Sequence, residues 1–449
     1  MDISGKKISI LGAVRSGIGA ARLSKKLGAV PFVSDSGPNE KLTDSISILE
    51  KEGIAYECGS HSEKVFECDF LITSPGIPTG SAVLTEAAKR GIKIYSEVEF
   101  ASWFCRGIII AITGTNGKTT TTSLIAHVLT ESGLKCRPAG NIGNAFSEIV
   151  LDLEGDEYVA LEISSFQLDF IERFKPKFSV ILNITPDHLD RYNNSFDQYA
   201  ASKMKVSENQ GPGDTFIYNF DDPNIKARLG KQCMQRLGFS VKNTLENGAY
   251  IYDEKMVFAS GGKAEEVCNI SDLFIKGEHN ASNALAVLIA AKVIGISDLK
   301  IKKAFASFKG VEHRIEFVRE LDGVEYYNDS KATNADSVWY ALRSFDQPIF
   351  LILGGKDKGN NYDRIKEPVI KNVKKIYAIG SSAQKVFDYF SDIVPTEIKS
   401  TLEECVLSAR KEAVTGTVVL LSPACASFDM FENYEHRGKV FKQAIMGLN

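Results

Sequence analysis

The segment Thr113-Gly114-Thr115-Asn116-Gly117-Lys118-Thr119 constrains the fold more than any other. An apolar run, residues 107–112 (GIIIAI), leads into it, and a helical pattern follows to about residue 132. A strand that breaks at a glycine loop and re-enters a helix belongs to an open α/β sheet with a phosphate-binding loop. Gly117 permits the tight turn, while loop N–H groups and the helix dipole surround the phosphates. Lys118 is then placed to contact the β- and γ-phosphates, and the Thr119 hydroxyl to reach Mg²⁺. Ile112 stands where the usual motif has its first glycine, so this is a variant Walker A loop. The alternative is a structural glycine loop, for which the ending GKTTTT is too specific.

The same α/β rhythm runs along the chain. Residues 7–11, 30–33, 70–73 and 93–95 read as strands, with a helix over 20–27. The pattern restarts at 107–112 and continues through strands 158–163, 178–184 and 215–219. Residues 242–275 are less regular, with strand-like alternation in AYIYD and KMVFAS, before a helix at 279–294. A third set follows at 324–328, 349–353, 375–379 and 418–421. Continuous apolar strands alternating with helices predict mostly parallel sheets covered on both faces. The expected architecture is therefore three α/β domains: a Rossmann-like domain at 1–95, a central P-loop domain at 96–310, and a Rossmann-like domain at 311–449.

A chain of 449 residues with 44% hydrophobic and 24% charged residues can bury cores of this kind. Lys+Arg number 53 against Asp+Glu 57, a balance that argues against nonspecific nucleic-acid binding. No apolar run is long enough for a membrane span. The N-terminus enters a strand within a few residues, without the apolar region of a signal peptide. The eight cysteines are scattered, with no CxxC, and read as reduced thiols. A cytoplasmic protein is expected.

Gly12 and Gly17 fit the first and sixth positions of a dinucleotide fingerprint after the first strand, but Val14 occupies the middle one. NAD and FAD are thereby disfavoured. Two readings stay open: a nucleotide diphosphate site at the helix start, with Asp35 at the end of the next strand, or a tight turn without a ligand. Glu162 and Asp187-His188 each follow an apolar strand, on the rim where parallel sheets bind ligands. A carboxylate and an imidazole there suit Mg²⁺ or acid–base duty.

The loop 113–119 resembles that of the Mur ligases, the ATP-dependent amide ligases of peptidoglycan precursor synthesis. So do, in order, Glu162-Ile163-Ser164-Ser165-Phe166-Gln167, Asn183-Ile184-Thr185-Pro186-Asp187-His188-Leu189-Asp190-Arg191, Gly277-Glu278-His279-Asn280-Ala281-Ser282-Asn283-Ala284 and His313-Arg314. The similarity covers essentially the whole chain. Asn328-Asp329-Ser330-Lys331-Ala332-Thr333-Asn334 and Leu421-Ser422-Pro423-Ala424-Cys425-Ala426-Ser427-Phe428-Asp429 resemble the branch that adds D-glutamate. The Asp-Asn-Pro-Arg motif of the diaminopimelate-adding branch is absent.

The resemblance implies that ATP phosphorylates the L-alanyl carboxylate of UDP-N-acetylmuramoyl-L-alanine. The D-glutamate amine then attacks, and a tetrahedral intermediate expels phosphate. It implies ATP contacts at Gly114, Thr115, Asn116, Gly117, Lys118, Thr119, Thr120, Asn283, Arg314 and Asp329. Two Mg²⁺ ions are implied, at Thr119, Glu162, His188 and Lys203, with Lys203 carbamylated; the residues alone make Lys203 a solvated helix lysine. Lys331 is implied near the transferred phosphate. Arg15, Ser16, Asp35, Ser36, Ser74, Gly76 and Asn141 are implied for the UDP-substrate, and Thr333, Lys358, Ser427 and Tyr434 for D-glutamate. Arg15 either contacts the pyrophosphate or sits in solvent, and either Lys356 or Lys358 takes the substrate carboxylate, position favouring Lys358. A monomer is expected. Another amino-acid ligase of the superfamily is the alternative enzyme, and a nucleotide-binding protein without catalysis the alternative class.

Overall fold

The computed structural model describes residues 1–39, 42–230, 233–357 and 359–449. Lys358 lies outside the described residues. The chain forms two compact units: residues 1–273 with 282–308, and residues 274–281 with 309–449.

The first unit holds two sheets. The N-terminal one has five strands in the order Ala55–Cys58, Val30–Asp35, Lys7–Leu11, Phe70–Thr73, Ile94–Ser96, all parallel. Strand order reverses at Lys7–Leu11, so the crevice beyond its carboxyl end, between the loops at Gly12 and Ser74, is the ligand position of an open α/β sheet. Its two neighbours explain the short apolar run: Ile8, Ile10 and Leu11 are buried on both faces.

The central sheet has nine strands. Ile108–Thr113 lies between Phe178–Ile181 and Tyr158–Glu162, parallel to both, with Cys136–Gly140 at the edge. On the other side come Thr215–Asn219, Gln235–Ser240 and Gly248–Tyr252, then Lys255–Ser260 and Lys263–Asn269, which are antiparallel. The irregular region at 242–275 is thus a three-stranded extension of the sheet. One core runs from Ile8 and Val98 through Phe146 to Leu161 and joins the two sheets. The buried Glu99 carboxylate reinforces the joint by accepting from the N–H groups of Glu172, Arg173 and Phe174 at 2.7–3.1 Å and from Trp103 Nε1 at 2.7 Å.

The second unit contains a six-stranded sheet in the order Glu316–Leu321, Val324–Asn328, Thr417–Leu421, Ile349–Gly354, Val373–Ile379, Thr396–Ile398. Only the first strand of that order is antiparallel to its neighbour. Ile349–Gly354 is buried throughout, with separate cores on its two faces. Order reverses between Ile349–Gly354 and Thr417–Leu421, which sets the loops at 354–357 and 422–428 at the ligand-binding rim. The alternation of three α/β sheets read from the sequence is the architecture found. The helix expected over 20–27 starts earlier, at Arg15, and spans Arg15–Lys26. Gly17 and Gly19 weaken its helical signal, and packing of both against neighbouring backbone and side chains overrides that.

Candidate active site

Gly117 has φ +86° and sits at the N-cap of helix Lys118–Glu131, with no side-chain cap, so the first-turn N–H groups face the loop. A Cβ on Gly117 would lie 2.6 Å from Asn283 Oδ1. The structure therefore brings Asn283, 166 positions further on, directly against the loop it was expected to serve. Asn183 holds the other side: its Oδ1 accepts from Asn116 N at 2.8 Å and its Nδ2 donates to Asn116 O at 3.1 Å. The Thr115 side chain faces inward. Its hydroxyl bonds Thr185 O at 3.1 Å, Thr185 N at 3.0 Å and the Tyr199 hydroxyl at 2.9 Å. Thr119 and Thr120 are buried in the first helical turn.

Lys118 Nζ donates to Gly114 O at 2.9 Å and Thr115 O at 2.8 Å. Lys203, on helix Phe196–Met204, is not a solvated helix lysine: it is 2% exposed and its Nζ donates to the same Gly114 oxygen at 2.9 Å. Its ammonium lies 4.7 Å from the centre of the Tyr199 ring. Burial, and then the charge of Lys118, push the Lys203 pKa well below the ordinary lysine value. Glu162 ends its strand buried at 2% exposure, with Oε1 accepting from Asn141 Nδ2 at 3.1 Å. Its Oε2 is buried without a hydrogen-bond partner among the described residues. An uncompensated buried carboxylate oxygen fits a metal ligand. His188 has left-handed backbone (φ +52°), packs its ring edge-on to Phe166 with centroids 5.4 Å apart, and is half exposed.

At the N-terminal sheet, Gly12 has φ +93° and a Cβ there would lie 2.7 Å from Ser74 Oγ. A Cβ on Gly17 would meet Gly12 O at 1.7 Å. The turn is therefore closed by backbone on one side and by the loop at Ser74 on the other. Arg15 and Ser16 open helix Arg15–Lys26, whose N-cap Val14 supplies no side-chain cap, and Arg15 is exposed. Asp35 accepts from Ala13 N and Gly37 N, each at 2.7 Å, so both its oxygens brace the glycine turn. Ser36 is exposed beside it. Asn141, expected with these residues, donates its Nδ2 N–H to Glu162 on the central sheet. Gly76 is exposed, and its carbonyl accepts from Arg191 at 3.3 Å.

The second unit groups Arg314, Asp329, Lys331, Thr333, Ser427 and Tyr434 around its own strand ends. Asp329, 4% exposed, accepts from Ser422 Oγ at 2.8 Å and from Ile315 N at 3.3 Å. Burial drives its pKa up to about 7 against the opposing effect of Ser422 and the Arg314 charge. Arg314 Nε is buried without a hydrogen-bond partner among the described residues. Lys331 Nζ lies 5.2 Å from the centre of the Tyr434 ring. Thr333 is partly buried and Ser427 buried. Lys356 pairs by backbone with Ala426 at 2.9 and 3.1 Å, its side chain exposed.

Arg437 was not singled out from the sequence. It is 2% exposed and donates to Ser330 Oγ (2.9 Å), Ser330 O (2.7 Å) and Cys425 O (3.1 Å), tying the loop before Lys331 to the loop before Ser427. Burial lowers its pKa to about 10. Asn183, Tyr199 and Arg191 were likewise missed as supports. The signal available was their place inside, or one turn from, the segments that carry Thr185, Lys203 and His188.

Three family models match the chain: the MurD N-terminal domain at residues 7–83, the Mur ligase middle domain at 112–291, and the Mur ligase, glutamate ligase domain at 313–425. The UDP-N-acetylmuramoylalanine–D-glutamate ligase of Christiangramia forsetii is 44% identical, over 99% of this chain and 100% of its own. The enzymes of the same name from Chlorobium limicola and Salinibacter ruber are 43% and 41% identical, over 100% and 99% of this chain and 100% and 98% of their own. Among solved structures, UDP-N-acetylmuramate–alanine ligase MurC of Thermotoga maritima aligns with a TM-score of 0.62 at 20% identity, over 98% of this chain and 99% of its own. MurF ligase of the same organism, in complex with ADP, aligns at 0.60 and 16% identity, over 93% and 95%. With relatives above 40% identity along its whole length and domain models matching from residue 7 to residue 425, the chain belongs to the Mur ligase family.

Proposed function

We propose that this chain is the ligase that joins D-glutamate to UDP-N-acetylmuramoyl-L-alanine, with cleavage of ATP to ADP and phosphate, in peptidoglycan precursor synthesis. The substrates are those in the names of its full-length relatives. The observation that carries the chemistry is the grouping of Lys118, Lys203 and the uncompensated Glu162 oxygen around one glycine loop. Residues 1–95 take the UDP-substrate, 96–310 take ATP, and 311–449 take D-glutamate. ATP and a UDP-linked acceptor fit an enzyme of the cytoplasm.

Phosphoryl transfer needs positioning and charge neutralisation more than covalent help from the protein. Loop N–H groups from Gly114 to Thr120 cradle the phosphates, and Lys118 exchanges its carbonyl contacts for phosphate oxygens. Glu162, Thr119 and His188 are the residues that would hold Mg²⁺, which when bound neutralises charge on the phosphoryl oxygens. Lys203 joins them once carbamylated. Burial and the Lys118 charge both disfavour the ammonium, the direction that carbamylation needs: the lone pair of the neutral amine bonds the carbon of carbon dioxide, one N–H proton leaves, and an anionic carbamate replaces the amine. Asn283, Arg314 and Asp329 are assigned to the nucleoside and phosphates, and Lys331 to the transferring phosphoryl group. Arg15, Ser16, Asp35, Ser36, Ser74, Gly76 and Asn141 are assigned to the acceptor. Thr333, Lys358, Ser427 and Tyr434 are assigned to D-glutamate, with one carboxylate paired to a lysine.

Phosphate release is the test, with Mg-ATP and UDP-N-acetylmuramoyl-L-alanine, and D-glutamate present, omitted or replaced by L-glutamate, L-lysine or meso-diaminopimelate. Release that requires both D-glutamate and the acceptor supports the assignment. Turnover with another amino acid alone would overturn the reading of the C-terminal pocket.

A further inference from the structure

The arginine three residues after His188 reaches back to the acceptor crevice. Arg191 Nη2 donates to Ile77 O at 2.7 Å and Pro75 O at 3.3 Å, and Nη1 donates to Gly76 O at 3.3 Å. Its guanidinium lies 4.2 Å from the centre of the Phe166 ring. Phe166 follows Glu162 by four residues and packs against His188. One side chain thus spans from the segment that carries the proposed metal ligands to three successive carbonyls of the loop at 75–77.

That loop has few other handles. Pro75 and Pro78 have no N–H to donate, so the loop is held chiefly through its carbonyls. Ser74 N bonds Leu11 O at 3.1 Å and Ile77 N bonds Ser74 O at 3.1 Å, which fixes the start of the loop to the strand before Gly12. A flat, forked donor stacked on an aromatic ring can serve three carbonyls at once; a lysine ammonium has neither the plane nor the fork.

We propose that Arg191 is a positioning residue for the acceptor: it sets the loop at 74–77, and with it the UDP-substrate, in register with the phosphoryl-transfer segment at Glu162 and His188. This rests on the function proposed above. The reacting carboxylate must stand about 3–3.5 Å from phosphorus, and a misplacement of about 1 Å costs on the order of 10²-fold in rate. Arg191 acts through the loop and not on a reacting atom.

The test compares R191A and R191K with wild type and with R90A. Arg90 also lies over a ring, that of Phe66, and is exposed, paired with Glu63 and Glu86 outside the site. Initial rates give kcat and separate KM values for acceptor, ATP and D-glutamate; calorimetry gives Kd for the UDP-acceptor without turnover. R191A and R191K are expected to raise acceptor KM and Kd by about tenfold or more and to lower kcat. ATP KM should stay within about twofold, guanidinium ion should partly restore R191A, and R90A should match wild type. A lowered melting temperature with unchanged acceptor KM and Kd would make Arg191 merely structural and overturn the inference. If R191A does not fold, R191K carries the same comparison. A wild type without D-glutamate-dependent turnover overturns the proposed function, while the Kd ratio still decides Arg191. A wild type that also fails to bind the UDP-acceptor overturns both.

Discussion

Lys118 and Lys203 aim their ammonium groups at one atom, the carbonyl oxygen of Gly114, each at 2.9 Å. Two amine-bearing side chains share one acceptor, and burying one of them costs stability whenever it carries charge. Replacing Lys203 with Met removes the buried amine while Lys118 still satisfies Gly114 O. In CO₂-depleted buffer, K203M is expected to be more stable than wild type by about 1–3 kcal/mol and to lose essentially all ligase activity. Thermal unfolding and phosphate release measure the two effects. A variant both less stable and inactive would indicate that Lys203 serves the fold.

Glu162 and Asn141 give a metal prediction. Asn141 Nδ2 orients one Glu162 oxygen, and the other has no hydrogen-bond partner among the described residues. Removing a group that orients a metal ligand weakens metal affinity by about 10–100-fold. N141A should raise the Mg²⁺ concentration for half-maximal activity by that factor, E162Q should do so further, and chelation should silence the wild type. Asn141 is also assigned to the UDP-substrate, so acceptor KM should rise as well; a rise in acceptor KM with an unchanged Mg²⁺ dependence would separate Asn141 from Glu162.

Asp329 predicts a pH dependence of stability. Its folded pKa, about 7, lies above the ordinary value of 3.8, chiefly through burial. Between those values the folded state holds one proton more than the unfolded state. Stability is therefore full below about 3.8 and falls as pH rises through 7. D329N keeps the shape without the charge, so its melting temperature should change less than that of wild type between pH 5 and 8. It should also raise ATP KM if the carboxylate holds the ribose. Parallel curves for the two proteins would count against a raised Asp329 pKa.

The strands that the sequence marked at their true ends, Lys7–Leu11, Phe70–Thr73, Thr215–Asn219 and Val324–Asn328, all lie inside their sheets with a neighbour on each side. Edge strands left no such mark. Cys136–Gly140 carries Arg137 and Pro138, and Ala55–Cys58 is partly exposed throughout, so neither forms an apolar run. The phosphate loop was legible because strand, glycine, lysine and helix are contiguous. Spacing alone did not reveal its supports, Asn283 and Lys203 coming only from the family resemblance and Asn183 not at all, because they reach it across 67 to 166 positions or from a helix whose buried face is mixed. Burial is a tertiary property, and no local spacing distinguishes Lys203 from the partly buried Lys205 two residues on.

The glycine turn of the first sheet separates a structural from a functional prediction. Gly17 faces Gly12 O, where an added Cβ would stand 1.7 Å away, and backbone cannot yield as a side chain can. Gly76, across the crevice, has nothing within 4 Å of its added Cβ. G17A is therefore expected to lose about 2–3 kcal/mol of stability as the turn opens, with acceptor KM rising as a consequence. G76A should unfold within about 0.5 kcal/mol of wild type, yet raise acceptor KM several-fold, because its methyl group enters the space assigned to the UDP-substrate. Thermal unfolding and acceptor titrations of the two variants decide the matter. G76A with wild-type acceptor KM would remove the crevice between Gly12 and Ser74 from the substrate site, and a G17A as stable as wild type would contradict the closed turn.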